Sequence, residues 1–344
     1  MKFDYYVLNT YYPELDGPGP TLYASWMEQA LVAEETGYDT LWLTEHHFRD
    51  FGGMLPNPQV LLGALAARTQ RIRLGTAVSI LPLHHPLRIA EDIAMLDNIS
   101  GGRIDLGVGR GMPHVEYEIY GADWPTAQDY LEEEVAIIRA GWTQRDFTWQ
   151  GQHYTYEKPI TVLPPVVQQP HPPIWMTANR EESHFRWIGR QGLHLMTLPW
   201  TLPSYDTSRS LVAAYRDGLR EGGHDVDSHQ VLAMFPTFVG ETEAEARVAE
   251  QHWTNWTTLA FGERGTAIFK ILTYDKAIED SRCIFGTPEM CRAHVRRIRD
   301  EIGVTHIATV QHFGGMPQEK VLSSMRLFAA EVAAPLRSEL PAPV

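Results

Sequence analysis

The sequence predicts an α/β chain closed into an eight-stranded (β/α)8 barrel of the TIM type, with insertions. Three observations carry that prediction. Eight short apolar, β-branched stretches alternate with longer stretches of helical period. Gly or Pro marks many of the joints between them. Residues able to do chemistry fall just after strand ends, where such a barrel keeps its active site. The structural alternative is a doubly wound open sheet, which would need a break between two autonomous halves. No Pro/Gly-rich linker divides the chain, so one unit over residues 1–344 is expected.

Residues 3–8 alternate and carry aromatic and β-branched side chains, as a strand does. Leu22, Trp26, Ala30 and Ala33 then share one helical face, and Gly37 stops that helix. Residues 38–43 form the second strand, 58–69 a helix and 73–79 the third strand. The helix over 86–99 has Pro in its first turn, and 101–109 contains the fourth strand. A helix over 125–142 precedes the fifth strand, 174–177. The helix over 181–191 is ended by Gly192, and 193–197 is the sixth strand. Residues 205–219 form a helix, 231–239 the seventh strand and 241–259 a long helix. The helix over 288–302 is ended by Gly303; 305–310 is the eighth strand and 317–330 the closing helix. Two insertions interrupt this rhythm. Residues 144–172 place Gly151 at a hairpin turn, and 260–286 read as loop or short helix. Insertions of this kind become lids or interface elements.

A chain of 344 residues can bury a large core. The formal net charge of −14, with no basic tail, weighs against nucleic acid as a partner. Cys283 and Cys291 make neither a disulfide framework nor a thiolate metal site. The opening residues are too few and too polar for a signal peptide, and no apolar run approaches a membrane span. The expectation is a soluble cytoplasmic protein with no membrane partner.

Glu45, His46 and His47 leave the second strand together. Neighbouring side chains there point in different directions, so one histidine can face the cavity while the other packs against the next strand. Histidine donates to a reacting oxygen or exchanges a proton near neutral pH. The plain alternative is a buried, hydrogen-bonded pair. His84 and His85 follow the third strand and make a histidine-rich metal centre conceivable. Further ligands are not convincingly placed, neither pair has the helix-borne H-E-x-x-H spacing, and no metal site is expected. The stretch Gly75–Val78 either presents backbone groups to a planar ring or is an ordinary buried strand. In Gly107–Gly111 the glycines permit close approach to a bulky cofactor. Arg110 between them can bind a phosphate or sit in a surface ion pair. At 179–184, Ser183 and nearby backbone N–H groups can receive a phosphate, or Asn179 is a simple N-cap. Trp200 and Tyr205 follow the sixth strand and are better pocket candidates than Trp26 or Trp187.

Several blocks together carry a resemblance: Gly37–Gly52, Asn57-Pro58, Arg73–Pro86, Ala90–Asp97, Gly101–Gly111, Tyr120–Trp124 and Gly314–Met325. The chain resembles the bacterial luciferase-like flavin monooxygenases, above all the luciferase alpha subunit and related single-chain oxygenases. The resemblance implies reduced FMN bound across the strand C-terminal ends, O2 as co-substrate and a C4a-peroxyflavin. The expected substrate is a small apolar organic compound, an aldehyde, ketone or terpene-like molecule. His46 is then the catalytic histidine, with His47 its neighbour. Ala77 and Val78 flank the flavin ring at a non-proline cis peptide. Glu45, Gly109, Arg110 and Gly111 line the cofactor, Gly109 standing where luciferase has a cysteine. Ser183, at the end of Arg180–Ser183, matches the phosphate segment. Gln128 stands where an arginine often serves the phosphate, and His184 and Arg180 are its possible replacements. Trp200, Tyr205 and Phe313 are assigned to the substrate pocket. No NAD-binding domain is apparent, so a separate NAD(P)H-dependent flavin reductase is the expected source of reduced FMN. A homodimer joined by helices of the N-terminal half and a reaction without light emission are also expected. The alternatives are F420-dependent hydride transfer on the same fold, a metal-assisted barrel hydrolase and a non-catalytic flavin-binding partner subunit.

Overall fold

Aromatic and charged groups on the inner face of the barrel tie its strands together. A computed structural model describes residues 1–8, 10–112, 115–261 and 273–339. Its barrel strands are β1 (Lys2–Val7), β2 (Thr40–Leu43), β3 (Arg73–Thr76), β4 (Ile104–Gly109), β5 (Ile174–Thr177), β6 (His194–Thr197), β7 (Val231–Val239) and β8 (His306–Val310). All eight pair in parallel and in order, and β8 returns to β1, which closes the ring. The eight predicted strands are therefore the barrel.

Inside, the Trp42 indole N–H donates to Asp4 Oδ2 at 3.0 Å. The Trp42 ring stands edge-on to Trp175 across the barrel, 5.3 Å between centroids. Trp175 in turn donates to Asp105, whose other oxygen takes the Arg73 guanidinium at 2.6 Å. Burial pushes the Asp4 carboxyl well above the ordinary carboxylate range. Gly75 makes room for the Trp42 ring, since a Cβ there would lie 2.2 Å from it.

The outer helices are α1 (Gly19–Thr36), α2 (Pro58–Ala66), α3 (Pro86–Ser100), α4 (Ala127–Thr143), α5 (Glu182–Arg190), α6 (Tyr205–Glu221), α7 (Ala249–Phe261), α8 (Pro288–Ile302) and α9 (Gln318–Leu327). Gly37 ends α1 in the left-handed conformation, as its position predicts. Leu22, Trp26, Ala30 and Ala33 are all buried on its inner face. Arg103, at the entry to β4, terminates a helix two units back. Its guanidinium donates to the Ala66, Thr69 and Ile72 carbonyls and to Thr69 Oγ1, and its Nε donates to Ser100 O. No helix among the described residues is long and apolar enough to cross a membrane.

Four expectations need correction. The third strand stops at Thr76, and Ser79–Ile80 pairs separately with β4 beyond the cis Ala77–Val78 peptide. The long helix after β7 is two, Glu243–Ala246 and α7. The closing helix runs past 330 through a π turn, Phe328–Ala333, into Ala334–Ser338. A further parallel strand, Ile284–Gly286, pairs with Thr237–Val239. β7 has nine residues, and β8 occupies only Leu232–Pro236, so its upper end is left for this strand.

The 144–172 insertion contains the antiparallel hairpin Phe147–Gln150 and Thr155–Ile160, turning at Gly151. Glu133 on α4 holds it, accepting from the Trp149 indole and from the Tyr154 and His153 backbone N–H groups. Within the other insertion, Tyr274–Glu279 is helical, and residues 262–272 lie outside the described residues. The Gly75–Trp42 contact gives a stability test. Gly75→Ala is expected to lower the unfolding free energy in urea by about 2 kcal/mol or more, as overpacking does. A change below ~0.5 kcal/mol would contradict that packing.

Candidate active site

The inward Trp42 sets the direction of every side chain that leaves β2. Continuing the alternation past Leu43 puts Glu45 and His47 on one side and His46 on the other. The structure bears this out. Glu45 is buried, and its Oε1 accepts from His47 Nε2 at 3.0 Å and His84 Nε2 at 2.7 Å. Its Oε2 takes the Ile80 backbone N–H at 3.2 Å. The Tyr120 hydroxyl lies 3.3 Å from His47 Nδ1. Burial alone would push the Glu45 carboxyl up, but the bonds from His47 and His84 outweigh it and its pKa ends lowered. Burial alone would push His84 down, and Glu45 reverses that too, so its pKa ends raised.

His46 faces the other way. Its ring packs 5.3 Å from Phe51, and its Nδ1 lies 3.1 Å from Arg49 Nη2. The loop from Phe48 to Leu55 folds back over it. Gly52 adopts a positive φ of 74°, and a Cβ there would sit 2.4 Å from the imidazole. Only glycine lets the chain close so tightly on this histidine.

A second group gathers at the start of α5. Arg110 lies over the Trp124 ring at 4.7 Å, with Nη2 4.0 Å from Glu181. The Tyr117 hydroxyl donates to the Arg110 carbonyl. Glu181 is the N-cap of α5 and makes no side-chain capping bond, and Ser183 lies exposed in the first turn. His184 Nδ1 lies 3.4 Å from Gln128 Nε2. Burial lowers the His184 pKa, so it offers a hydrogen-bonding edge and not a standing positive charge. Arg180 is exposed, and Asn179 bonds to Thr201 instead of capping the helix. Gly109 faces Thr177 and Val78, whose methyl carbons lie 2.7 and 2.8 Å from where its Cβ would be. Gly111 is at φ 69° against Ile80, and the Tyr6 hydroxyl donates to the Ala77 carbonyl at 2.6 Å.

An aromatic wall completes the barrel mouth. Trp256 packs 5.8 Å from Phe51, and Trp200, Trp253 and Trp256 pack mutually at 5.3–5.6 Å between ring centroids. Trp253 continues to Phe285, on which Phe313 stacks at 5.9 Å. Trp200 and Phe313 thus join the wall that reaches His46. Tyr205 does not. Its hydroxyl donates to Ser281 O and lies 2.7 Å from His294 Nε2 on α8, within the helix layer. Among the described residues, no group of three or more His, Cys, Asp or Glu side chains is placed to hold a metal ion. His85 caps α3. Sequence reasoning missed Arg49, Glu116, Trp253 and Trp256. The two tryptophans, three apart on one helix face, carried a usable signal; Arg49 did not, because its contact depends on the Gly52 turn.

The Glu45–His84 pair gives a pH test. Glu45 has a lowered folded pKa, so its contribution is present above the unfolded value of about 4.5 and fades as pH falls through the folded one. His84 has a raised folded pKa, so its contribution is complete below about 6.5 and is lost as pH rises through the folded value. The stability gap between wild type and Glu45→Gln is therefore expected to be widest between about pH 4.5 and 6.5. Urea unfolding across pH checks this; a gap that stays level far above that window would contradict it.

Residues 1–306 match the family model for luciferase-like monooxygenases. The alkanal monooxygenase alpha chain of Photorhabdus luminescens is 28% identical over 356 residues, covering 96% of each chain. The crystal structure of monooxygenase RslO1 from Streptomyces bottropensis is similar at a TM-score of 0.86 and 28% identity, covering 98% of this chain and 100% of that one. The oxygenating constituent of 3,6-diketocamphane monooxygenase from Pseudomonas putida, a type II Baeyer–Villiger monooxygenase in complex with FMN, shares the fold. Its TM-score is 0.81 at 18% identity, covering 97% of this chain and 98% of that one. F420-dependent enzymes share the fold as well. With the family model spanning nearly nine-tenths of its length, the chain belongs to the luciferase-like monooxygenases, flavin-dependent oxidoreductases built on this barrel.

Proposed function

We propose that this enzyme takes reduced FMN and O2 and oxygenates a small apolar organic substrate, an aldehyde, ketone or terpene-like molecule. The observation that carries the FMN reading is the open start of α5. Its N-cap carries no side-chain bond, and Arg110 stands beside it. Unsatisfied helix N–H groups next to a guanidinium suit a phosphate. Ser183 and His184 would add donors there, and Gly109, Ala77 and Val78 would border the ring. Bound reduced flavin would supply the two electrons with which one oxygen atom enters the substrate and the other leaves as water.

The protein's own contribution is position, dryness and hydrogen bonding. His46 lies at the mouth, packed on Phe51. The tryptophan wall supports an apolar substrate, because a water-poor lining keeps reactive oxygen from being lost to solvent. His47 with Glu45 and His84 fixes the loop that carries His46. A separate NAD(P)H-dependent flavin reductase would deliver the reduced flavin. Exposed apolar residues Val60 on α2 and Met95 and Ile99 on α3 support a homodimer joined through these helices. We read the chain as one cytoplasmic unit.

An anaerobic titration tests the reading. Reduced FMN is expected to bind saturably, and Arg110→Met to weaken it about tenfold while leaving reduced riboflavin unaffected. Equal loss for both ligands would remove the phosphate role. Binding of reduced F420 with none of FMN would replace the reading by hydride transfer. Mixing the loaded protein with oxygen and a panel of aldehydes, ketones and terpenes then measures turnover. His46→Ala is expected to reduce it by roughly 10²–10³-fold, as loss of one donor to a reacting oxygen does, while FMN affinity is retained.

A further inference from the structure

Two adjacent imidazoles meet opposite charges. His47 donates to the carboxylate of Glu45, whereas His46 meets the guanidinium of Arg49. That contact fixes the chemistry of His46. A guanidinium has five N–H donors, no acceptor, and does not deprotonate in proteins. At 3.1 Å from Arg49 Nη2, His46 Nδ1 must therefore present its lone pair. The ring is then neutral and its proton sits on Nε2.

Arg49 is itself held in place. Its side chain is 22% exposed, lies 5.4 Å over the Phe51 ring and has Nη2 3.8 Å from Glu116 Oε1. The Glu116 side chain is 1% exposed. On the far side of the His46 backbone stand Glu45, His47 and His84, with Tyr120 on His47. Tyr117 also lies within electrostatic reach of Glu116 and Glu45. Burial lowers the Arg49 pKa and Glu116 opposes that; a guanidinium keeps its charge in proteins.

We propose that Arg49, anchored by Glu116, is a positioning residue that holds His46 as the neutral Nε2–H imidazole. His46 then meets the reacting oxygen as a hydrogen-bond donor and not as a general base. A base would need an empty Nε2 and a proton on Nδ1, which would set two N–H donors against each other. No proton leaves the ring in this role, since a neutral imidazole that gave one up would become an anion. The catalytic meaning of the inference rests on the proposed flavin monooxygenase reading, but the protonation state does not.

Nitrogen-15 histidine NMR of the full chain decides it. Long-range correlations separate the ring tautomers, and among the 15 histidines His46 is identified by the signal lost in His46→Gln. The expected pattern at neutral pH is a proton on Nε2 and a bare Nδ1. In Arg49→Met the midpoint is expected to rise by about one unit or more as the cation is removed. Wild-type His46 with a proton on Nδ1, or doubly protonated near neutrality, overturns the proposal. So does an Arg49→Met spectrum that matches wild type. The wild-type spectrum decides the tautomer even if Arg49→Met does not fold. If no flavin turnover is found while the Nε2–H pattern is present, the monooxygenase reading fails and the assignment of Arg49 stands.

Discussion

Trp42 is the constraint on which the rest of this barrel depends. Its indole binds Asp4 on β1, its face fills the space left by Gly75 on β3, and its edge meets Trp175 on β5. A strand with such a side chain cannot slip by one residue without driving that ring into the helix layer. The same register sends Glu45 and His47 outward toward the loop at Ile80 and His84, and leaves His46 on the side of the mouth. A packing decision near the barrel floor therefore selects which of two neighbouring histidines is available for chemistry.

The charge arrangement follows from that selection. Glu45 is buried deeply enough that an unpaired carboxylate would be costly, and two imidazoles and a backbone N–H satisfy it. His46 stands outside that network beside a cation. The start of α5 adds a patch of donors, and the tryptophan wall adds apolar surface. Polar, cationic and apolar zones thus come from different βα loops, and no single stretch of sequence contains the site.

Much of the fold was legible because its signals are local. Glycine at the end of α1, proline in the first turn of α3 and alternation in β1 each act within a few residues. The strand Ile284–Gly286 was not legible, because it exists only where β7 outruns β8. In the site, the sequence placed Glu45, His46 and His47 at a strand end but left open which histidine faces the cavity, since that depends on the contacts Trp42 makes across the barrel. Tyr205 follows a strand as a pocket residue would, yet a histidine on α8 draws its hydroxyl into the helix layer. Arg49 lay inside the recognisable Gly37–Gly52 block, but nothing in that block tied it to His46. Its meaning comes from Gly52 and from Glu116, 67 positions further along.

Arg103 shows how far the βα units are from being independent. It enters with β4, yet it collects the free carbonyls at the end of α2 and in the turn before β3. A lysine could not span that set, because it lacks the planar fork. Because these acceptors belong to the main chain, any parent sequence supplies them when this barrel is recombined with a relative, and only the arginine itself has to be kept. Chimeras that carry an arginine at position 103 therefore keep the end of α2 closed wherever the cut falls.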